Sequence, residues 1–247
     1  MKILVCISKA PDTTTKIAFK DNDTQFNKDG VQFIINPYDE WYALVRGLEL
    51  KEAAGSGSVT VINVGTAEND PVIRKALAIG ADDAVRIDSE DKDPFNVAKQ
   101  IADYAKDKGY NMILTGKETI DYNGSQIGGM IAEFLNLPYI SQASKLDVNG
   151  NLATIERDIQ GGKEVLEVEG AFVLGAAKGM AEARIPNMRG IMAARTKPLN
   201  VVPSTAGEDL TEIKSYSLPP AKAACKYVSA DNPAELLDLL KNEAKVL

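Results

Sequence analysis

Asn-Met-Ile-Leu-Thr-Gly-Lys-Glu-Thr-Ile-Asp-Tyr-Asn-Gly-Ser-Gln-Ile-Gly-Gly-Met-Ile-Ala-Glu-Phe-Leu, residues 111–135, reads as three structures in a row. The apolar run 111–115 predicts a buried strand. The Gly/Asn/Ser-rich stretch after it predicts a turn, and the chain from about Ser125 predicts a helix. A turn between a strand end and a helix N-terminus presents free backbone N–H groups to a phosphate. The spacing matches neither Gly-x-x-x-x-Gly-Lys-Ser/Thr nor Gly-x-Gly-x-x-Gly. Gly124 lets the backbone bend or approach a ligand, and Asn123, Ser125 and Gln126 offer side-chain hydrogen bonds. Gly128-Gly129 permits close packing of the helix on the sheet or on a ligand. The same residues also suit an ordinary polar turn with a capped helix, and the local sequence leaves both readings open.

Working towards the N-terminus, the same alternation recurs. Residues 2–7, 32–35, 58–64 and 83–87 predict strands. Asn36-Pro37, Asp70-Pro71 and Asp93-Pro94 each predict a helix start, with a capping side chain followed by proline. The first of these helices carries Trp41, Leu44, Val45 and Leu48 on one stripe and stops near Gly55; the others end at Gly80 and Gly109. Apolar strands alternating with capped helices predict an α/β fold, a parallel sheet with helices on both faces. Ligands of such sheets sit at the carboxyl ends of the strands, here the exits after Ile7, Ile35, Val64 and Leu114. Asn36-Pro37-Tyr38-Asp39 reads first as a helix start and second as a ligand contact. Gly65 would leave room for a flat ring.

Beyond Pro138 the texture changes. Segments 145–148 and 152–157 flank Asn149-Gly150, a hairpin signal, and a further strand at 164–168 follows Gly161-Gly162. The stretch 145–169 therefore predicts an antiparallel ribbon beside the α/β core, and 171–175 a return to the main sheet. The irregular segment 176–203 holds Lys178, Arg184, Arg189, Arg195 and Lys197. It reads as a charged surface, or as a site for an acidic partner with Met188 and Ile191 as apolar anchors. Residues 204–232 predict an extended arm, and about 233–245 a short helix striped by Leu236, Leu237 and Leu240. Packing of this arm on another subunit and packing on its own domain both remain open. The organisation expected is a domain over 1–203 and an arm over 204–247.

The 247 residues carry a net charge of −7 and no histidine. The charge disfavours nucleic acid, and the missing imidazole removes the usual base and the commonest metal ligand. No metal site is expected. Cys6 and Cys225 show no redox or ligand spacing. Asp12, Glu40, Asp121 and Asp158 are candidate acids or bases, but nothing pairs them, and solvated or capping carboxylates are the default. No apolar run is long enough to span a bilayer, and Met1-Lys2 leads straight into an apolar strand. The expectation is a cytoplasmic chain, or a mature organellar one.

Together these segments resemble the beta subunit of electron transfer flavoprotein, over nearly the whole length. The likeness is carried by Lys-Ile-Leu-Val-Cys-Ile-Ser-Lys-Ala-Pro-Asp (2–12), Ile-Asn-Pro-Tyr-Asp-Glu (35–40), Ile-Arg-Lys-Ala-Leu-Ala-Ile-Gly-Ala-Asp (73–82), Gly-Lys-Glu-Thr-Ile-Asp (116–121) with Gln126, and Arg-Gly-Ile-Met-Ala-Ala (189–194). Departures from the family pattern are Ser8 in place of a lysine, Gln160 in place of an acid, and Gly170 in place of a proline.

The resemblance implies a three-layer fold of the adenine-nucleotide alpha-hydrolase type and a heterodimer whose alpha subunit holds most of the FAD. It implies an electron carrier rather than a bond-making enzyme. Electrons would pass from acyl-CoA and other dehydrogenases of fatty acid beta-oxidation to a quinone oxidoreductase. AMP would contact Cys6, Asn36, Pro37, Tyr38, Asp39 and Val64, then Gly116, Lys117, Glu118, Thr119, Ile120, Asp121, Tyr122, Asn123, Gly124, Ser125, Gln126 and Ile127. Thr13 would approach the flavin. Met188, beside Arg189 in a docking loop at about 183–196, would anchor the dehydrogenase, and Asp158 would engage the alpha subunit's flavin domain. Two rivals are a bifurcating relative with a second FAD in the AMP crevice, which oxidises NADH, and a stand-alone nucleotide-binding stress-type protein.

Overall fold

Residues Lys2–Cys6 form the first strand, β1, and its side chains alternate between two hydrophobic cores. Ile3 and Val5 face one core, Leu4 and Cys6 the other. The structure is a computed structural model that describes residues 1–90, 93–205 and 207–247. Strands β2 (Lys9–Pro11), β3 (Phe19–Lys20), β4 (Gln25–Phe26) and β5 (Phe33–Ile35) precede helix α1 (Asp39–Ala54). Next come β6 (Ser58–Val64), α2 (Asp70–Ile79), β7 (Asp83–Asp88), α3 (Pro94–Ala105), β8 (Met112–Gly116) and α4 (Ile127–Leu135). The chain continues through β9 (Tyr139–Asn149), β10 (Leu152–Ile159), β11 (Gly162–Glu169), β12 (Phe172–Ala176), α5 (Met188–Ala194), β13 (Leu199–Pro203) and α6 (Pro233–Asp238).

Nine strands form one sheet in the order β11-β10-β9-β12-β8-β1-β6-β7-β13, parallel from β9 to β13, with β10 and β11 antiparallel. Leu44 and Leu48 of α1 and Ile73 and Leu77 of α2 cover one face. Ala98 and Ile101 of α3 and Ile131 of α4 cover the other. This is the three-layer α/β core expected from the alternating pattern. From β1 the chain steps through α1 to β6 and through α2 to β7, then returns through α3 to β8 on the opposite side of β1. The connections therefore diverge at the β1/β8 boundary, and the crevice at a sheet's topological switch point is where such folds bind ligands. Among the described residues, no helix is long and apolar enough to cross a membrane.

Several sequence-based expectations change. Strand β5 does not join the main sheet; it pairs antiparallel with β2 in a separate two-stranded sheet. The antiparallel ribbon is an extension of the main sheet, because β9 also pairs with β12, with a bend at Gln142 (φ 55°). Strand β13, inside a segment with no regular pattern, pairs with β7 at the sheet edge. Helix α4 starts at Ile127 rather than at Ser125. The last helix is α only to Asp238 and continues as a π-helical turn, Leu239–Glu243.

The chain divides into two units, Met1–Lys16 with Lys28–Lys214, and Ile17–Asn27 with Ser215–Leu247. In the second unit, Tyr216 N–H donates to Asp23 O (2.7 Å) and the Tyr216 ring stacks on Phe19 at 5.0 Å. Leu218, Tyr227, Leu236, Leu237, Val246 and Leu247 are exposed there. In the first unit, the start of the arm is fastened to α3 by a polar stripe. Asp93, Asn96, Gln100 and Asp103 recur at intervals of three and four, which places them on one helix face. Asn96 Nδ2 donates to Asp209 Oδ1 (2.8 Å), and its Oδ1 accepts from Gly207 N–H (3.1 Å). Asp93 accepts from Thr211 Oγ1 (2.6 Å) and Leu210 N–H (3.1 Å), and Ser204 Oγ donates to Gln100 Oε1 (2.8 Å). Hydrogen bonds of this kind each contribute ~1 kcal/mol, so Asn96→Ala is expected to cost ~1–2 kcal/mol locally. Hydrogen exchange should then quicken at Gly207 and Leu210 while β1 and β8 stay protected.

Candidate functional site

At the C-terminal ends of β8 and β12 lies an open cleft of about 360 Å³ lined by Pro37, Tyr38, Asp39, Lys117, Glu118, Ile120, Asn123 and Lys178. The volume falls within the range of small-molecule sites. Three segments converge on it: the entry to α1, the β8–α4 loop, and the exit of β12.

The entry to α1 is strained. Tyr38 has φ 65° and ψ −92°, and Asp39 N–H reaches back to Pro37 O at 3.0 Å. That geometry is a γ-turn of the rare, high-energy kind. Tyr38, not Asn36, stands at the N-cap, and no side chain caps this helix. Asp39 and Glu40 occupy its first turn. Asn36 is fully buried and spent elsewhere: its Nδ2 donates to Glu118 O (2.9 Å) and its Oδ1 accepts from Ile120 N–H (3.0 Å). The expected cap is thus a cross-link between the α1 entry and the β8–α4 loop.

Glu40 forms the second cross-link. Its carboxylate accepts from Ser8 N–H (2.6 Å) and from Ser8 Oγ (2.9 Å), joining the β1 exit to α1. Burial pushes its pKa up to about 8, against the pull of the Ser8 hydrogen bonds, with Asp121 and Asp39 adding to the rise. The default of a solvated or capping carboxylate is therefore wrong for Glu40. Gly116 makes this packing possible, since a Cβ there would lie 2.8 Å from Glu40 Cγ and 3.0 Å from Asp39 Cβ. Cys6 is buried beneath, and desolvation followed by the Glu40 charge drives its thiol pKa up, so the thiol is inert.

The β8–α4 loop is held by its own contacts. Lys117 N–H donates to Ala176 O (2.9 Å), and Lys117 Nζ pairs with Glu118 (3.1 Å), which also accepts from Ser125 Oγ (3.2 Å). The Lys117 hydrogen bond keeps the Glu118 carboxyl below its ordinary pKa, while burial raises that of Asp39. The Thr119 carbonyl accepts from Asn123 N–H (3.0 Å), and Thr119 Oγ1 from Tyr122 N–H (3.4 Å). Asn123 and Ser125 are left-handed, at φ 48° and 53°. Gly124 meets open space; Asp121 and Tyr122 are exposed; Gln126 and Ile127 open α4. The glycine pair resolves in favour of the sheet: a Cβ on Gly128 would meet Thr115 Oγ1 and the Tyr139 ring, each at 2.8 Å.

Val64 ends β6, on the far side of β1 from β8, and does not line this cleft. The space at Gly65 is taken, with Asn69 Nδ2 1.9 Å from where a Cβ would be, so it leaves no room for a ring. Asn69 donates to Asn63 Oδ1 (2.9 Å), and Asn63 to Ile7 O (2.8 Å), fixing that exit from beneath. Thr13 is exposed in a turn shaped by Asp12, which accepts from Thr14 N–H (2.9 Å). Asp158 is exposed on β10 opposite Lys163, and Met188 and Arg189 open α5. Sequence reading missed Lys178 in the cleft, although its place just after β12 was a usable signal. It also missed Ile185, which at 83 % exposed is barer than Met188 at 74 %.

A three-layer, mostly parallel sheet with a polar cleft at its strand exits defines a class of α/β protein that takes its ligands at the carboxyl ends of the strands. A family model described as "Electron transfer flavoprotein domain" matches residues 23–206. The chain is 36% identical over 262 aligned positions to electron transfer flavoprotein subunit beta of Bacillus subtilis (strain 168), covering all of both chains. It is 34% identical over 251 positions to the same subunit of Syntrophomonas wolfei, covering all of this chain and 98% of that one. The Homo sapiens subunit is 31% identical over 255 positions, covering all of this chain and 99% of that one. The chain belongs to the electron transfer flavoprotein family, as a beta subunit.

The Glu40 pKa yields a pH dependence. Between 4.5 and about 8 the folded protein retains the Glu40 proton and the unfolded chain releases it. Stability from this group is therefore present at the low end of that window and lost as pH rises through it. Glu40→Gln has no proton to lose. Its Tm should gain on that of the parent steadily across the same window, as read by thermal scans at stepped pH.

Proposed function

We propose that this chain pairs with an electron transfer flavoprotein alpha subunit and that the cleft at its strand exits holds AMP. The observation that carries the reading is the cleft wall. Asn36, Ser8, Glu40 and Gly116 are consumed in holding the loops together, so backbone groups and Lys178 are left to face a ligand. An anion tolerates the neighbouring Glu118 carboxylate because that group is paired with Lys117. The N-terminus of α4, just beyond the loop, adds the positive end of its dipole. Lys117 to Ile127 would surround the nucleotide, with Tyr38 and Ile120 supplying apolar surface. Cys6 and Asn36 would shape the crevice from behind.

AMP does no redox chemistry here; it stabilises the folded subunit by binding the native state alone. FAD, held mainly by the alpha subunit and approached by the Thr13 turn, supplies the redox chemistry. Electrons come from acyl-CoA and related dehydrogenases and leave to a quinone oxidoreductase. The dehydrogenase docks on the apolar residues around α5, Ile185 and Met188 foremost, and Asp158 on the ribbon engages the alpha subunit's flavin domain. The 215–247 segment, with its exposed leucines, packs on the alpha subunit.

Denaturing the purified heterodimer should release one FAD and one AMP. Two FADs per heterodimer would replace this reading with the bifurcating one, and a chain that never pairs with a flavoprotein subunit would overturn both. Truncating an apolar anchor at an interface costs about 1–2 kcal/mol, or roughly tenfold in affinity. Ile185→Ala and Met188→Ala should each weaken electron uptake from a reduced acyl-CoA dehydrogenase by about that factor, with FAD content unchanged.

A further inference from the structure

Helix α5 has seven residues, too few to hold a helical shape alone. It exposes Met188 (74 %) and Met192 (56 %), and Ile185 just before it is 83 % exposed. The structure locks this segment from four directions. Asn187, in an extended conformation, caps the helix by accepting from Gly190 N–H at 2.8 Å. Gly190 lies against α2 so closely that a Cβ would sit 2.3 Å from Ala78 O. Arg74 of α2 donates to Ala194 O (2.8 Å) and Lys197 O (2.7 Å), at the C-terminal end of α5. Lys197 in turn donates to Leu77 O (2.9 Å) and Ala81 O (2.6 Å), at the C-terminal end of α2. The C-terminal end of α5 thus receives a cation from α2, and that of α2 receives one from the turn after α5, where a positive charge is favoured and the carbonyls lack helical partners.

The approach to α5 is fastened as well. Arg184 makes a two-pronged pair with Glu52 of α1 (2.7 and 3.1 Å), and its carbonyl accepts from Trp41 Nε1 (3.3 Å). Ile185 therefore projects from a backbone tied to α1 on one side and α2 on the other. Side chains held this way lose little freedom when a partner covers them, which strengthens binding without adding contacts.

We infer that Gly190, Arg74 and Lys197 are positioning residues that hold the Ile185–Met192 segment as a pre-formed docking platform, and that they set dehydrogenase affinity without touching the dehydrogenase. The inference rests on the docking reading above. Gly190 contributes space rather than conformation: a methyl group there must push α5 off α2, and displacement on the order of 1 Å is enough to spoil a fitted contact.

The test uses the intact heterodimer and a reduced acyl-CoA dehydrogenase, comparing Gly190→Ala, Arg74→Ala and Ile185→Ala. Half-saturation and limiting rate of electron uptake are measured, together with hydrogen exchange over residues 185–194. Gly190→Ala and Arg74→Ala should each raise the half-saturation concentration by about tenfold and speed exchange in α5, leaving the limiting rate and FAD content unchanged. Ile185→Ala should raise half-saturation without changing exchange. If Ile185→Ala has no effect on half-saturation, the docking reading itself fails. If Ile185→Ala acts but Gly190→Ala and Arg74→Ala leave either exchange or half-saturation unmoved, docking stands and the positioning inference is overturned. If Gly190→Ala does not assemble, Arg74→Ala decides by the same readouts.

Discussion

Strand β1 has hydrogen-bonded neighbours on both edges and an apolar core on both faces, so the interior of the sheet is organised around it. A strand in that position cannot carry a polar side chain at Ile3, Leu4, Val5 or Cys6 without leaving it unsatisfied. Polar chemistry is therefore displaced to its exit. There Ser8 meets Glu40, Ile7 O meets Asn63, and the connections on either side diverge. The cleft opens beside these cross-links, between the α1 entry, the β8–α4 loop and the exit of β12.

The framework was legible because both its periods are strong. Runs such as 58–64 are long and β-branched, as expected of strands buried on both faces, and prolines open α2 and α3 between them. What the sequence hid was pairing. Phe33–Ile35 has a strand's composition, but nothing in three residues specifies whether the neighbour is β2 or the main sheet. Leu199–Pro203 lies among prolines and charges, and only its pairing with β7 makes it a strand.

The candidate site divides in the same way. Its location at the strand exits followed from topology, and the 116–127 loop from its glycine and amide content. The roles of single residues did not follow. Asn36-Pro37 has the composition of a cap, yet Asn36 bonds to residues more than eighty positions away in sequence, a separation no local rule reports. Glu40 sits in an acidic first turn like many exposed glutamates; its burial depends on Gly116 coming within contact, which is again a long-range event. Tertiary contact turned a cap into a cross-link and a surface acid into a buried one.

The polar stripe of α3 bears on the order of assembly. The grip on Ser204 and residues 207–211 is built from amides, hydroxyls and the carboxylates of Asp93 and Asp209 rather than from apolar area. When it opens, water replaces those partners one for one, so opening exposes little that is sticky and carries a modest penalty. A nascent chain can complete its sheet before this strip closes, and a mature one can lift it without endangering the core. The strip 207–211 is thereby joined to α3 by a reversible seam, so its attachment can be remade while the sheet stays folded.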